Sequence, residues 1–337
     1  MRSEMIDNRT LALALAWLVL ASSGSGATKK RAIELESLIA KARSKEILWT
    51  EGTPKLAVRG EIEVANGEGG SAPGQYLFVW ASPSQWQEEI KFINYERRRI
   101  GNEKGYWQTS NLNYEPEFIF QLDEMLHINA LIDLSQDETL GRVKQRKEQG
   151  ITEDCTDVKN KFGTARTLGF DDSTGALVAA EHLAANISRI EYSDFRSVAG
   201  KILPFEFRAT QYGGAVASMM VGAVGDFGDE AALFSVPADA EFWAHCNGMP
   251  TAMWPEPGRT MPVYPMAAMA NHEQGTVVFY AVVEADGSVS HFTPIQIAAP
   301  DLVASAADAI RTWRDKPAVC DGKPIRRETQ ITVVFAR

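Results

Sequence analysis

The sequence predicts an α+β protein built from two antiparallel units. Three observations carry that expectation. Period-two alternation of apolar and polar residues recurs in short runs between Gly/Pro/Asn/Ser clusters. Helical periodicity is confined to a few segments, and a β-β-α-β order closes the chain after a proline-rich stretch. Short alternating runs at close spacing build antiparallel sheets, and a helix stripe laid over such a sheet buries the apolar faces of both.

Taken in order, residues 1–27 read as a signal peptide. Arg2 and Arg9 bracket a charged start, and the apolar run from Thr10 to Ala21 is shorter than the roughly 20 residues of a membrane helix. Ser25-Gly26-Ala27 supplies a small-residue cleavage pattern. An uncleaved anchor is the competing reading, because a bilayer can thin around a short span. Residues 28–235 form the first domain. In 31–49, Ile33, Leu35, Leu38, Ile39, Ala42 and Ile47 approximate the i, i+3, i+4 spacing of an amphipathic helix. Strands follow in KLAVRGEIEVA, GQYLFVWASP, WQEEIKFINYERRRIG and KGYWQTS, from Lys55 to Ser110. Residues 115–150 read as helical. Strands return in TARTLGFDDSTGALVAAEHL, with a hairpin turn near Asp172 to Gly175, and in the run from Arg189 to Val224. Residues 236–260 are rich in proline without a period and read as a linker.

Residues 261–337 form the last unit. Its hairpin turns at Asp286-Gly287, a type I′ signal. Val278, Tyr280 and Val282 share one face of the first strand, and Val277, Phe279, Ala281 and Val283 the other. Two apolar faces imply burial on both sides or an edge awaiting a partner. The helix carries Leu302, Ala306, Ile310 and Trp313 as one stripe and stops before Pro317. Trp313 is thus expected to anchor helix to sheet. In the final strand Ile325, Thr329, Ile331, Val333 and Phe335 face one way.

At 337 residues, two domains are expected. A net charge of -10 with no long basic run argues against nucleic acid. Cys155, Cys246 and Cys320 allow pairing in an exported chain with one cysteine left over, and the residues alone leave the connectivity open.

The last unit resembles the TonB C-terminal domain. The likeness rests on Pro262 to Pro265 (PVYP), Gly275, Asp286-Gly287, the alanine-rich helix ending in Trp313-Arg314, Lys316 to Ala318, Gly322 to Pro324 and Ile331 to Phe335. More weakly, GQYLFVWASPSQWQEEIKFINYERRRIGNEKGYWQ and YSDFRSVAGKILPFEFRATQYGG are similar to the LolA/LolB half-barrel of periplasmic lipoprotein carriers. These resemblances imply a periplasmic protein without cofactor. Its module would add an exposed strand to a segment of an outer-membrane receptor or other envelope protein. The implied partner-binding strand presents Glu328, Gln330, Thr332 and Val334. The half-barrel would have a hollow for lipid or acyl chains, lined by Tyr76, Phe78, Trp80, Phe92 and Trp107, and the same aromatics would equally serve as filled core. The alternative function is a soluble lipid or lipoprotein carrier with the module as a cap. A disulfide between Cys246 and Cys320 would tie linker to module. The long Pro/Lys/Glu spacer of energy-transducing members is not evident.

Enzyme chemistry is not expected. The five histidines form no His-Glu-x-x-His pattern, and the mature chain has no Gly-x-Ser-x-Gly elbow or P-loop. Asp226-Phe227-Gly228 stands without the other kinase motifs. His245-Cys246 gives two ligand types where a metal needs three or four. Arg97, Arg98 and Arg99 read as a solvated strand end, or as a contact for anionic headgroups at the hollow's mouth.

Overall fold

The computed structural model describes residues 37–336 except 48, 66–69, 133, 135–137, 149, 161–162, 184–186, 213, 229–230, 246–252, 296–297 and 321. The expected signal peptide, Cys246 and much of the linker lie outside the described residues.

After helix α1 (residues 37–45), five strands run as a meander: β1 (Leu56–Ala65), β2 (Ser71–Ser82), β3 (Gln85–Phe92), β4 (Glu96–Asn102) and β5 (Gly105–Ser110). Two helices follow, α2 (Glu117–Leu126) and α3 (Ile128–Ile132). Next come β6 (Thr139–Leu140), β7 (Lys144–Glu148), β8 (Ile151–Asn160), β9 (Gly163–Asp171), β10 (Leu177–Glu181), β11 (Arg189–Val198), β12 (Lys201–Gln211), β13 (Gly214–Gly225) and β14 (Glu241–Ala244). Together they make one curved, 14-stranded antiparallel sheet in the order β14-β5-β4-β3-β2-β1-β13-β12-β11-β10-β9-β8-β6, with β7 also paired to β8. The two meanders join where β1 pairs with β13.

Two sequence expectations are corrected. The helix expected over 115–150 ends at Ile132, and its remainder supplies β6 and β7. Lys144–Glu148 is polar throughout and has no strand period; pairing to the edge of β8 decides its conformation. The expected linker is also structured in part: β14 joins the large sheet beside β5. The later part of that linker forms β15 (Trp254–Pro255), which pairs with β18 (Asp315–Lys316) of the C-terminal module.

One face of the large sheet is the core. Val58, Ile62, Phe78, Trp80, Ile90, Phe207 and Met219 are buried there against Ile119, Leu122 and Met125 of α2. At about 1.5–3 kcal/mol per buried large apolar side chain, this face dominates the domain's stability. Gly101 is obligatory in this packing: a Cβ there would stand 1.9 Å from ring atoms of Trp86.

The module contains α4 (Met266–Ala270), β16 (Gly275–Val283), β17 (Val289–Pro294), α5 (Pro300–Ile310), a small hairpin of β19 (Ala318–Cys320) and β20 (Lys323–Ile325), and β21 (Arg327–Phe335). Its main sheet has the order β17-β16-β21, so the β-β-α-β reading holds. The stripe Leu302, Ala306, Ile310 and Trp313 packs on Val277, Phe279, Ala281, Ile331 and Val333. Trp313 is the expected anchor: its Nε1 donates to the Thr260 carbonyl at 2.8 Å, and Arg259 lies 4.3 Å from its ring centre. Gly287 adopts φ 82°, and the Asp315 N–H donates to its carbonyl at 2.8 Å; a Cβ at Gly287 would clash with the Asp315 oxygen at 2.4 Å. The hairpin turn is therefore pinned to the chain leaving α5.

Candidate functional site

The outer strand of the module, β21, is built by alternation. Ile331, Val333 and Phe335 turn to α5, while Gln330, Thr332 and Val334 are exposed on the other face. It pairs with β16 over its full length, from Gly275↔Phe335 to Val283↔Arg327. Among the described residues no strand pairs with its other side. In an antiparallel pair every second residue turns its N–H and C=O away from the neighbour, so β21 keeps a row of open backbone groups. The opposite edge, β17, is partly covered: Ser288 bridges to Arg314 just before the strand begins.

Glu328 departs from the expected partner-facing set. It points to the seam with the large domain, where the Tyr280 hydroxyl donates to it at 2.8 Å. Of the four residues, the structure thus leaves Gln330, Thr332 and Val334 exposed and turns the fourth inward.

That seam resolves the two-faced strand β16. Its Phe279 face meets α5, and its Tyr280 and Val282 pack on Trp243 of β14, with Tyr106, Tyr114 and Phe120 around them. Arg326 lies 4.4 Å from the Trp243 ring centre and pairs with Glu241 at 2.9 Å and Glu284 at 3.3 Å. His291 lies 3.2 Å from Glu241. Both faces of β16 are therefore covered while the edge of β21 stays open.

Behind the seam, under α2, sits a charge network that the sequence reading missed. The expected solvated run of arginines is instead split by strand alternation. Arg98 lies on the outer face, donating to Gln87 at 2.9 Å and the Leu233 carbonyl at 2.7 Å. Arg97 and Arg99 turn to the core face, and Arg97 is 1% exposed. Arg97 reaches Asp123 at 2.6 Å, Glu88 at 3.0 Å and Glu115 at 3.2 Å; Arg99 reaches Asp123 at 2.8 Å. His127 stands 3.0 Å from Glu88. Burial alone would raise Glu88, but His127 and Arg97 outweigh it and hold its carboxyl down at about 2. Burial likewise opposes Asp123, whose two arginines hold it well below the usual range. Burial lowers His127, yet Glu88 and Asp123 raise it overall. Glu88, Asp123 and His127 bring ligand-type atoms within 4.8 Å of one another. Arg97 and Arg99 already occupy those carboxylates, so the cluster reads as an ion-pair network that clamps α2 to β4.

The expected lipid-lining set is divided. Tyr76, Phe78 and Trp80 are buried on the core face, with Phe78 ring-to-ring at 4.5 Å from Trp49 and 6.0 Å from Trp86. Phe92 joins them and packs on Phe118 at 5.1 Å. Trp107 does not: it pairs in register with Ile100, one residue out of phase with Arg99, and its ring lies tilted 5.0 Å from that of Phe242 on the opposite face. The four that share a face are packed against protein. Cys155 is a free, buried thiol that burial pushes up to about 11. Cys320 is disulfide-bonded, and its Sγ lies 3.6 Å from the carbonyl oxygen of His245. The expected partner, Cys246, follows His245 but lies outside the described residues.

Residues 260–336 match the family described as Gram-negative bacterial TonB protein C-terminal. The TonB-like module is thus recognised by sequence as well as by its β-β-α-β order. No curated protein matches the chain. Among solved structures, a DUF1329 family protein from Desulfovibrio piger aligns at 10% identity and TM-score 0.44, covering 61% of this chain and 97% of that one. A LolA superfamily protein from Nitrosomonas europaea aligns at 10% identity and TM-score 0.41, covering 59% and 96%. The Pseudomonas aeruginosa TonB C-terminal domain aligns at 24% identity and TM-score 0.22, covering 25% and 86%. Among the described residues no helix is long and apolar enough to cross a membrane.

Proposed function

We propose that this is a non-enzymatic protein of the Gram-negative periplasm whose TonB-like module docks on an outer-membrane receptor or other envelope protein. Docking proceeds by addition of an extended partner segment to β21. The large curved sheet is the platform that holds the module. The observation that carries the reading is the position of β21: it is fixed to β16 along its length and unpaired on its other side among the described residues. An unpaired, rigidly held strand is what β-augmentation requires. The family match over 260–336 supports an envelope location, and so does the signal peptide expected in residues 1–27. The burial of Tyr76, Phe78 and Trp80 against neighbouring rings favours a platform over an open lipid carrier.

Site-specific photocrosslinking in the full chain tests this. A crosslinker in place of Thr332 or Val334 should give a discrete adduct with one envelope protein, while one in place of Ser197, far from the module, should not. Adduct from neither edge position, or the same products from all three, would remove the edge from consideration.

A further inference from the structure

The seam between the domains holds a carboxylate that neither side balances. Under α2, the acids Glu88, Glu115 and Asp123 face the guanidinium groups of Arg97 and Arg99, with His127 3.0 Å from Glu88. Closing the module on the platform brings up a fourth acid, Glu328, from the start of β21. From β16 the Tyr280 hydroxyl donates to it at 2.8 Å. Glu115 ahead of α2, Asp123 of α2 and Arg99 of β4 act on it through their charges, and its own charge bears on the Tyr106 hydroxyl of β5. Arg99 is committed elsewhere, to Asp123 at 2.8 Å and to Gln108 at 2.7 Å. Just ahead of the strand of Glu328, Arg326 is taken by Glu241 and Glu284. The hydrogen-bond partner seen for Glu328 is thus a neutral hydroxyl, and the charge of Glu115, an acid of the other domain, opposes its ionisation.

We propose that this seam is a proton-operated latch: a neutral Glu328 lets the module close on the platform, and loss of that proton releases the seam face of β16. The latch is independent of what β21 binds. Burial first, and the charge of Glu115 second, push Glu328 up to about 7 from an ordinary 4.5. A carboxyl raised in the closed state favours closure fully below its free value. That advantage is then lost as pH rises through the closed-state value. From 4.5 to about 7 the closed state weakens by roughly tenfold per pH unit, about 300-fold in all, and changes little above. Release exposes Tyr280, Val282 and Trp243, which are buried when the seam is shut.

Hydroxyl-radical footprinting of the full chain between pH 5.5 and 8.5 reads this side chain by side chain. Oxidation of Trp243 and Tyr280 should climb as pH rises towards about 7 and level off above it. Phe279, on the α5 face of the same strand, should stay protected. Glu328→Gln keeps an acceptor for Tyr280 and should hold the seam shut across the range. Flat oxidation in the wild type, an equal climb in the glutamine variant, or Phe279 rising in step with Tyr280 would each overturn the latch. The last would mark unfolding of the module in place of release.

Discussion

Replacing Arg97 by methionine is the sharpest perturbation of the large domain. The side chain is 1% exposed and is the shared partner of Glu88, Glu115 and Asp123 at 2.6–3.2 Å. Methionine matches its length but leaves three buried carboxylates with only Arg99 and His127 opposite them. Removing one partner of a buried ion pair costs about 3–5 kcal/mol, because the remaining charge is stranded. The lower half of that range applies if Arg99 swings across, the upper half if it does not, so about 4 kcal/mol is expected at pH 7. With a urea m-value of about 2 kcal/mol/M for a domain of this size, the midpoint should drop by about 2 M. Equilibrium urea unfolding followed by tryptophan fluorescence measures it. The pH dependence adds a second check. In the wild type Glu88 keeps its charge until pH falls towards about 2. In the variant the stranded carboxylates take up protons much earlier, so the deficit should shrink between pH 7 and pH 4. A loss under about 1 kcal/mol, or a deficit constant over that pH range, would refute the view that Arg97 holds this network together.

Two further outcomes follow from the same face. His127 is raised overall by Glu88 and Asp123 against the cost of burial, so its proton stabilises the folded domain; that stability is complete below about 6.5 and falls as pH rises past it. His127→Gln should therefore flatten the decline in urea midpoint between pH 6.5 and 8.5, and an unchanged slope would assign the decline to another group. Gly101→Ala would drive a Cβ to 1.9 Å from the Trp86 ring. Displacing that ring should cost about 2 kcal/mol and lower Tm by about 5 °C in thermal unfolding.

What the sequence made legible was sidedness wherever a strand had one polar face and one apolar face. The Leu302–Trp313 stripe, the Asp286-Gly287 turn and the strands β1, β2 and β5 were readable, whereas the run from Trp86 to Gly101, read as one strand, is two, β3 and β4, turning between Phe92 and Glu96. Reading failed where local pattern and tertiary partner disagree. Glu88 occupies a core position between Trp86 and Ile90, and Arg97 falls opposite Ile90 in the register. Alternation alone would have placed both inside. A charged run reads as solvated until its partner is known, and Asp123 lies 26 residues away on a helix. Trp107 was misplaced for the opposite reason: its chemistry fits a hollow, but its face depends on the register of β4 with β5. Lys144–Glu148 and Glu241–Ala244 are five and four residues long, too short for a period to declare itself.

The open edge and the closed faces of the module belong together energetically. Each backbone hydrogen bond to an added strand is worth about 0.5–1.5 kcal/mol net. Fixing one residue of a disordered partner costs about 1–2 kcal/mol. In the proposed docking, main-chain pairing at β21 would therefore roughly cancel the ordering cost of the added segment, and leave nothing for ordering β21 itself. A strand anchored along β16, with Ile331, Val333 and Phe335 buried under α5, is already ordered. The surplus that makes binding measurable has to come from side chains flanking the edge. Gln330 and Thr332 supply polar contacts there, and Val334, 65% exposed, is the apolar residue of that face. In the docking proposed for β21, selectivity for a partner segment would accordingly be set where the strand ends near Val334, away from the seam at which Glu328 is engaged.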